Sequence, residues 1–179
     1  MDGCAGELSP GAIHPGSMDP DSIDVFIDEW RRERPDLDLS AMGCFARMKF
    51  LGVAMKSTMD RVLERHGLNP GEFDVLAALR RAVPSCTLIP SQLSATLMMS
   101  RAGMTNRLDR LEAAGLVERS LDPADRRSFR VTLTEKGRAV IDAALTEHIE
   151  TINKITSCLS PEQRKNFDEA LRTLLRAFR

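Results

Sequence analysis

Apolar positions recur along this chain at two periods, and the places where one gives way to the other mark out its parts. From Ser40 to His66, Met42, Phe45, Met48, Met55, Met59, Val62 and Leu63 fall at three- and four-residue spacings. That is the stripe of a long amphipathic helix, with Gly67 as its stop. Ahead of it, Asp21 or Ser22 caps a short helix with Val25, Phe26 and Trp30 on one face, ending before Arg34-Pro35. Asn69-Pro70 with Glu72 opens a third helix, carrying Phe73, Leu76 and Leu79 to about Val83. Beyond Pro84, Leu88 and Ile89 form a short extended piece, and Pro90-Ser91 starts a helix through about Met98. Ser100 caps the next helix, which buries Met104, Leu108 and Leu111 and stops at Gly115.

The period then changes to two. Phe129, Val131 and Leu133 alternate with Arg130 and Thr132, and with Leu116–Leu121 they predict a β-hairpin whose inward residues are those three apolar ones. The helical period returns after the Thr134 cap with Val140, Ile141, Ala144, Leu145, Ile149, Ile152 and Ile155. Ser160-Pro161-Glu162 restarts it for a last stripe of Phe167, Leu171, Leu174, Leu175 and Phe178. The fold class is therefore mainly α with a small β-hairpin, a winged helix-turn-helix between N- and C-terminal helices. The organisation reads as a tail over 1–20, N-terminal helices over 21–66, a helix-turn-helix lobe over 67–133 and C-terminal helices over 134–179. Gly and Pro without periodicity mark the tail as loose, and its Gly16-Ser17-Met18 is of the kind a cloning junction leaves, with Met18 then the first native residue.

Composition narrows the function. A length of 179 residues suits one core, and with only 4% aromatic residues and no tyrosine that core is aliphatic. The formal net charge of −1 excludes a uniformly basic nucleic-acid binder, so any basic surface is local. Cys4, Cys44, Cys86 and Cys158 form no CxxC pair, and no histidine stands at zinc-ligand spacing, so reduced thiols in a cytoplasmic protein without metal or cofactor are expected. The chain shows no bilayer-length apolar run and no export signal, no GxSxG, no phosphate-binding glycine loop and no HExxH, and His14, His66 and His148 lie far apart. Enzyme and membrane classes fall away.

A helix pair followed at once by a charged hairpin suits double-stranded DNA, the second helix entering the major groove and the hairpin tip reaching the backbone or minor groove. Arg126, Arg127 and Arg130 carry the tip's positive charge. Asp122 or Asp125 can hold one guanidinium in place, reducing the entropy lost on meeting a phosphate; an ordinary solvated turn is the plainer alternative. The stretch LDRLEAAGLVERSLDPADRRSFRVTLTEKG resembles the MarR family of bacterial transcriptional regulators, in Asp122, Asp125, Arg126, Arg127, Ser128, Leu133, Thr134 and Gly137. The resemblance implies a homodimer joined through its first and last helices and gripping a pseudo-palindromic operator, with recognition helices roughly 34 Å apart. Broad apolar stripes on the terminal helices point the same way. Base-edge candidates are Ser100, Arg101, Gly103, Thr105 and Asn106. Ser91, Gln92 and Arg110 join Arg126, Arg127 and Arg130 as further DNA contacts.

EWRRERPDLD and EFDVLAALRR resemble the urate-responsive, PecS-like branch of that family, which adds an N-terminal helix bearing a tryptophan. The resemblance implies an effector site of Trp30, Asp74, Arg107 and Arg119. A flat indole and two guanidiniums suit a planar anion such as urate, with other anions, a tricarboxylate among them, also compatible. Asp74 has the wrong sign, so it is expected to pair with one of the arginines until the ligand competes for it. The expected role is that of a repressor released by this anion. The rival readings are a redox-sensing regulator acting through Cys44, near Arg47, and a winged helix that binds proteins alone.

Overall fold

The computed structural model describes residues 21–122 and 129–178. Seven helices, α1 (Ser22–Glu33), α2 (Met42–Arg65), α3 (Pro70–Arg81), α4 (Pro90–Thr96), α5 (Arg101–Ala113), α6 (Glu135–Ile155) and α7 (Pro161–Arg176), accompany the strands β1 (Thr87–Leu88), β2 (Val117–Leu121) and β3 (Phe129–Leu133). The chain forms two compact units that divide inside α2, the first ending at Ala54 and the second opening at Met55.

In the first unit Asp21 is the cap of α1. Its carboxylate accepts from the Ile23 and Asp24 amides, and Asp24 reaches back to the Asp21 amide. The Arg47 guanidinium joins this box, Nε to Asp21 at 2.8 Å and a terminal nitrogen to Asp24 at 2.7 Å, and so holds the Asp21 carboxyl below its ordinary range. Ile23, Ile27 and Leu39 are buried, and Gly43 lets the Ile27 side chain approach where a Cβ would stand 2.9 Å from it. Val25, Phe26 and Trp30 stay exposed.

The second unit holds the main core, in which Val75, Leu76 and Leu79 of α3, Leu93 of α4, Met104, Leu108 and Leu111 of α5, Val131 of β3 and Ile141 and Ala144 of α6 are all at most 1% exposed. Arg80 fastens α3 to α6 through Asp142 at 2.8 Å. The hairpin has Val117 opposite Leu133 and Leu121 opposite Phe129. The extended piece near Leu88 is a third strand, pairing Thr87 with Thr132 and Leu88 with Val131, so the antiparallel order is β1-β3-β2.

Several boundaries differ from the sequence expectation. Ser40 stays outside α2 because its amide donates to Asp38 instead. The third helix stops at Arg81, with the Ala82 amide turning back to the Leu79 carbonyl. The fourth stops at Thr96 because Met98 takes a left-handed backbone, φ 50°. Val131 and Leu133 are buried as the alternation implies, but Phe129 is 36% exposed, its ring 5.4 Å beneath the Arg119 guanidinium.

The LTEKG stretch joins α6 to the end of α5. Thr134 Oγ1 accepts from the Gly137 amide as the α6 cap and donates to the Gly115 carbonyl at 2.9 Å, while Lys136 Nζ donates to the Ala114 carbonyl at 2.7 Å. Gly137 packs so closely that an added Cβ would lie 2.0 Å from the Leu116 carbonyl oxygen. Because the obstacle is backbone, Gly137→Ala is expected to lower stability by about 1–3 kcal/mol in urea unfolding, despite alanine's better helix propensity.

Farther along α6, Glu147 accepts from Arg65 and lies 2.7 Å from His66 Nε2, which ties the end of α2 to α6. These partners, Arg65 foremost, hold the Glu147 carboxyl below its ordinary 4.5. A carboxyl lowered on folding stabilises above its unfolded pKa, and that contribution disappears as pH falls through the folded value. Melting temperature should therefore fall more steeply below about pH 4.5 in the wild type than in Glu147→Gln. Equal slopes in thermal melts across pH 3 to 6 would remove this role.

Candidate nucleic-acid interface

The α4-turn-α5 unit is made by one switch of backbone and one cap. After Thr96 the chain turns through Leu97, Met98 and Met99, and Ser100 Oγ accepts from the Gly103 amide at 3.2 Å to open α5. Met104, Leu108 and Leu111, spaced four and three apart, occupy the core face at 1% exposure each. The helical period therefore turns Thr105, Asn106, Asp109 and Arg110 outward, and all four are exposed. Ser100 is exposed at the head of this face and Gly103 is half-buried, while Arg101 opens α5 with a side chain outside the described residues. Ser91 and Gln92 are exposed on α4, and the Gln92 side-chain oxygen accepts from the Ile89 amide at 3.0 Å.

Two contacts from the start of α3 fix α5. Glu72 completes the capping box with Asn69, accepting from its amide at 2.9 Å, and its other oxygen takes Arg110 Nε at 2.9 Å. The Glu72 side chain is 5% exposed and that of Arg110 69%, so one carboxylate caps one helix and tethers the next while most of the guanidinium stays in solvent. Arg107 lies over Gly71, where a Cβ would be 2.2 Å from its Cζ, and a terminal nitrogen meets Met99 Sδ. Between the first turn of α3 (Asn69, Pro70, Gly71) and Gly103, Asn106, Arg107 and Arg110 of α5 lies an open cleft of about 500 Å³.

The hairpin is fastened to the same helix. Arg119 of β2 donates to Asp109 and approaches Glu112 at 3.4 Å, with its guanidinium over Phe129. One arginine thus joins two carboxylates of α5 to both strands. Asp122, buried at the end of β2, binds Arg130 at 3.1 Å, restraining that guanidinium at the root of the tip. Arg126 and Arg127, with Asp125 and Ser128, lie outside the described residues.

The effector residues are not joined as expected. Asp74 is exposed and forms no ion pair with Arg107 or Arg119. It follows Glu72 by two residues, about 200° around the helix, so when Glu72 faces α5 Asp74 faces away. The acids that hold Arg119 in place are Asp109 and Glu112, which the sequence reading did not single out, while Glu72, read there only as part of a helix start, holds Arg110. Glu72 was detectable three residues after an asparagine cap; Asp109 and Glu112 were detectable only as a one-face pair on α5. In the first unit Trp30 packs edge-on to Phe26, with centroids 6.4 Å apart. Cys44 is exposed, and Arg47, its nearest cation in sequence, is occupied by Asp21 and Asp24.

The MarR family model matches residues 66–128, from the end of α2 through the hairpin tip. The HTH-type transcriptional regulator PecS of Dickeya dadantii (strain 3937) is 37% identical over 153 residues, covering 86% of this chain and 90% of its own length. The chain belongs to the MarR family. It is a winged-helix transcriptional regulator and not an enzyme. Its fold is that of solved members: AbsC from Streptomyces coelicolor superposes with a TM-score of 0.71 at 21% identity, covering 79% of this chain and 96% of that one. Sco3205 from the same organism, a structure in complex with DNA, gives 0.70 at 23% identity over 79% and 89%. No helix among the described residues is long and apolar enough to cross a membrane.

For this MarR-family lobe, Glu72→Ala removes a cap acceptor and a buried ionic anchor together, and is expected to cost about 2 kcal/mol in urea unfolding. Glu72→Gln keeps the cap acceptor and loses only the charge, so it should cost less than half as much. Equal losses would show that the cap carries nothing.

Proposed function

We propose that this protein is a homodimeric repressor that grips a pseudo-palindromic operator with its two α5 helices and hairpins, and releases it on binding a planar anion of the urate type. The observation that carries the DNA half is the exposed polar face of α5, Ser100 through Arg110, beside a hairpin whose Arg130 is pre-oriented by Asp122. Short polar side chains at the head of a helix match base edges, and flanking guanidiniums match phosphates. The DNA complex of the similar Sco3205 supports the same use of the fold. Dimerisation is supported by apolar side chains left in solvent on the N- and C-terminal helices, Phe45, Phe50 and Val53 of α2 and Leu174 and Leu175 of α7 among them, and by Phe178 just beyond α7.

The effector half rests on the resemblance to PecS-like regulators and on the state of the two arginines. An anion that takes Arg119 from Asp109 and Glu112 detaches the hairpin from α5, and one that takes Arg107 from Met99 acts at the start of the same helix. Only a differential affinity matters, and a coupling of ~1–3 kcal/mol lowers operator affinity about 5- to 150-fold. Trp30 is the single tryptophan, so its emission gives one signal against which urate can be titrated.

Anisotropy of a labelled duplex from upstream of the protein's own gene, at fixed salt, tests both halves. Tight binding that urate reverses, with the reversal and the Trp30 quenching both weakened in Arg119→Ala, is the expected result. Binding indifferent to urate discards the effector and keeps the regulator.

A further inference from the structure

Met98 closes α4 as the left-handed residue of its C-terminal turn, its amide directed at the Ala95 carbonyl and that of Met99 donating to the Ser94 carbonyl at 3.0 Å, but packing gives no reason for the side chain found there. It occupies the turn before α5 with a left-handed backbone, φ 50°, and its side chain is 95% exposed, more than any other exposed large apolar residue described. On either side, Leu97 and Met99 pack against the core, and Met99 also meets Arg107. Both features of Met98 work against the folded chain: a left-handed backbone is unfavourable for a residue with a Cβ, and a long apolar arm lies wholly in water. Glycine would remove both. The capping turn explains the backbone but favours glycine, so stability gives no reason for a methionine side chain here, and its full exposure beside the polar face of α5 points to a contact made only in a complex.

The position indicates the contact. Ser100, two residues on, caps α5, and the exposed polar face of that helix begins there. The head of a recognition helix enters the major groove, where the apolar landmark among hydrogen-bonding base edges is the 5-methyl group of thymine. An unbranched thioether with three rotatable bonds adapts to such a knob. We propose that Met98 is a specificity-determining residue that packs on a thymine methyl at the edge of each operator half-site. The inference rests on the DNA-binding reading above.

The test uses the full-length protein and a duplex it selects from a random pool. Each thymine is replaced in turn by uracil, which removes the methyl and nothing else. For the wild type, one position per half-site should cost about fourfold in affinity, the worth of one buried methyl. Met98→Ala should show the same loss on the thymine duplex and no further loss with uracil there, while Met98→Leu retains most of the discrimination. Met98→Gly should melt at a higher temperature than the wild type yet bind more weakly, a combination that a purely structural role does not produce. A Met98→Gly protein that binds as tightly as the wild type, or an Ala variant weakened equally on every duplex with no uracil-sensitive position lost, overturns the assignment and leaves DNA binding intact. Failure of the wild type to select any duplex overturns the DNA-binding reading itself.

Discussion

A helix that offers its polar face to DNA has only its other face with which to hold on, and the grip on α5 is the constraint from which the rest of this lobe follows. Met104, Leu108 and Leu111 supply the apolar part. Apolar contact alone is non-directional, and a recognition helix has to be fixed in rotation as well as depth. The buried Glu72 carboxylate supplies that direction through Arg110, and Arg119 supplies it from the hairpin side through Asp109 and Glu112. The helix is thereby held from α3 and from β2, by groups that leave its reading edge uncovered.

The same arrangement explains how a chain of net charge −1 can serve a polyanion. Arg110, Arg119 and Arg130 are each matched with a carboxylate, so each is oriented before any DNA arrives. Pre-orientation reduces the entropy lost on binding, while the neighbouring acids weaken long-range attraction. Such a surface trades speed of non-specific capture for selectivity at the docked site, and the ions released per arginine should be fewer than for unpaired guanidiniums.

Much of this was legible in the sequence because it is local. Asn69-Pro70-x-Glu72, Ser100 and Thr134 each announce a helix start by cap chemistry, and the alternation from Phe129 to Leu133 announces a strand; all appear where the patterns place them. The family motif was legible for the same reason, and its Thr134 and Gly137 prove to be joinery between α5 and α6. The contacts between elements were not legible. That Arg119 would find Asp109 and Glu112 depends on how the hairpin folds back on α5, and that Asp74 would face away from α5 depends on which turn of α3 the packing selects. Phe129 kept its strand and lost its expected burial because a guanidinium, not the core, lies over its ring.

The Thr134 and Lys136 contacts with the Gly115 and Ala114 carbonyls, just beyond α5, have one more consequence. They close the chain on itself at the base of the hairpin, so residues 116–133 form a loop whose two ends are pinned together. Length added or removed at the distal end of such a loop alters closure entropy only logarithmically and passes no strain to the elements at its root. The wing is in that sense an exchangeable part. Tips of different length and charge can be fitted to the same pair of helices, which lets groove contacts diversify while the recognition helix and the long helix behind it keep their mutual register.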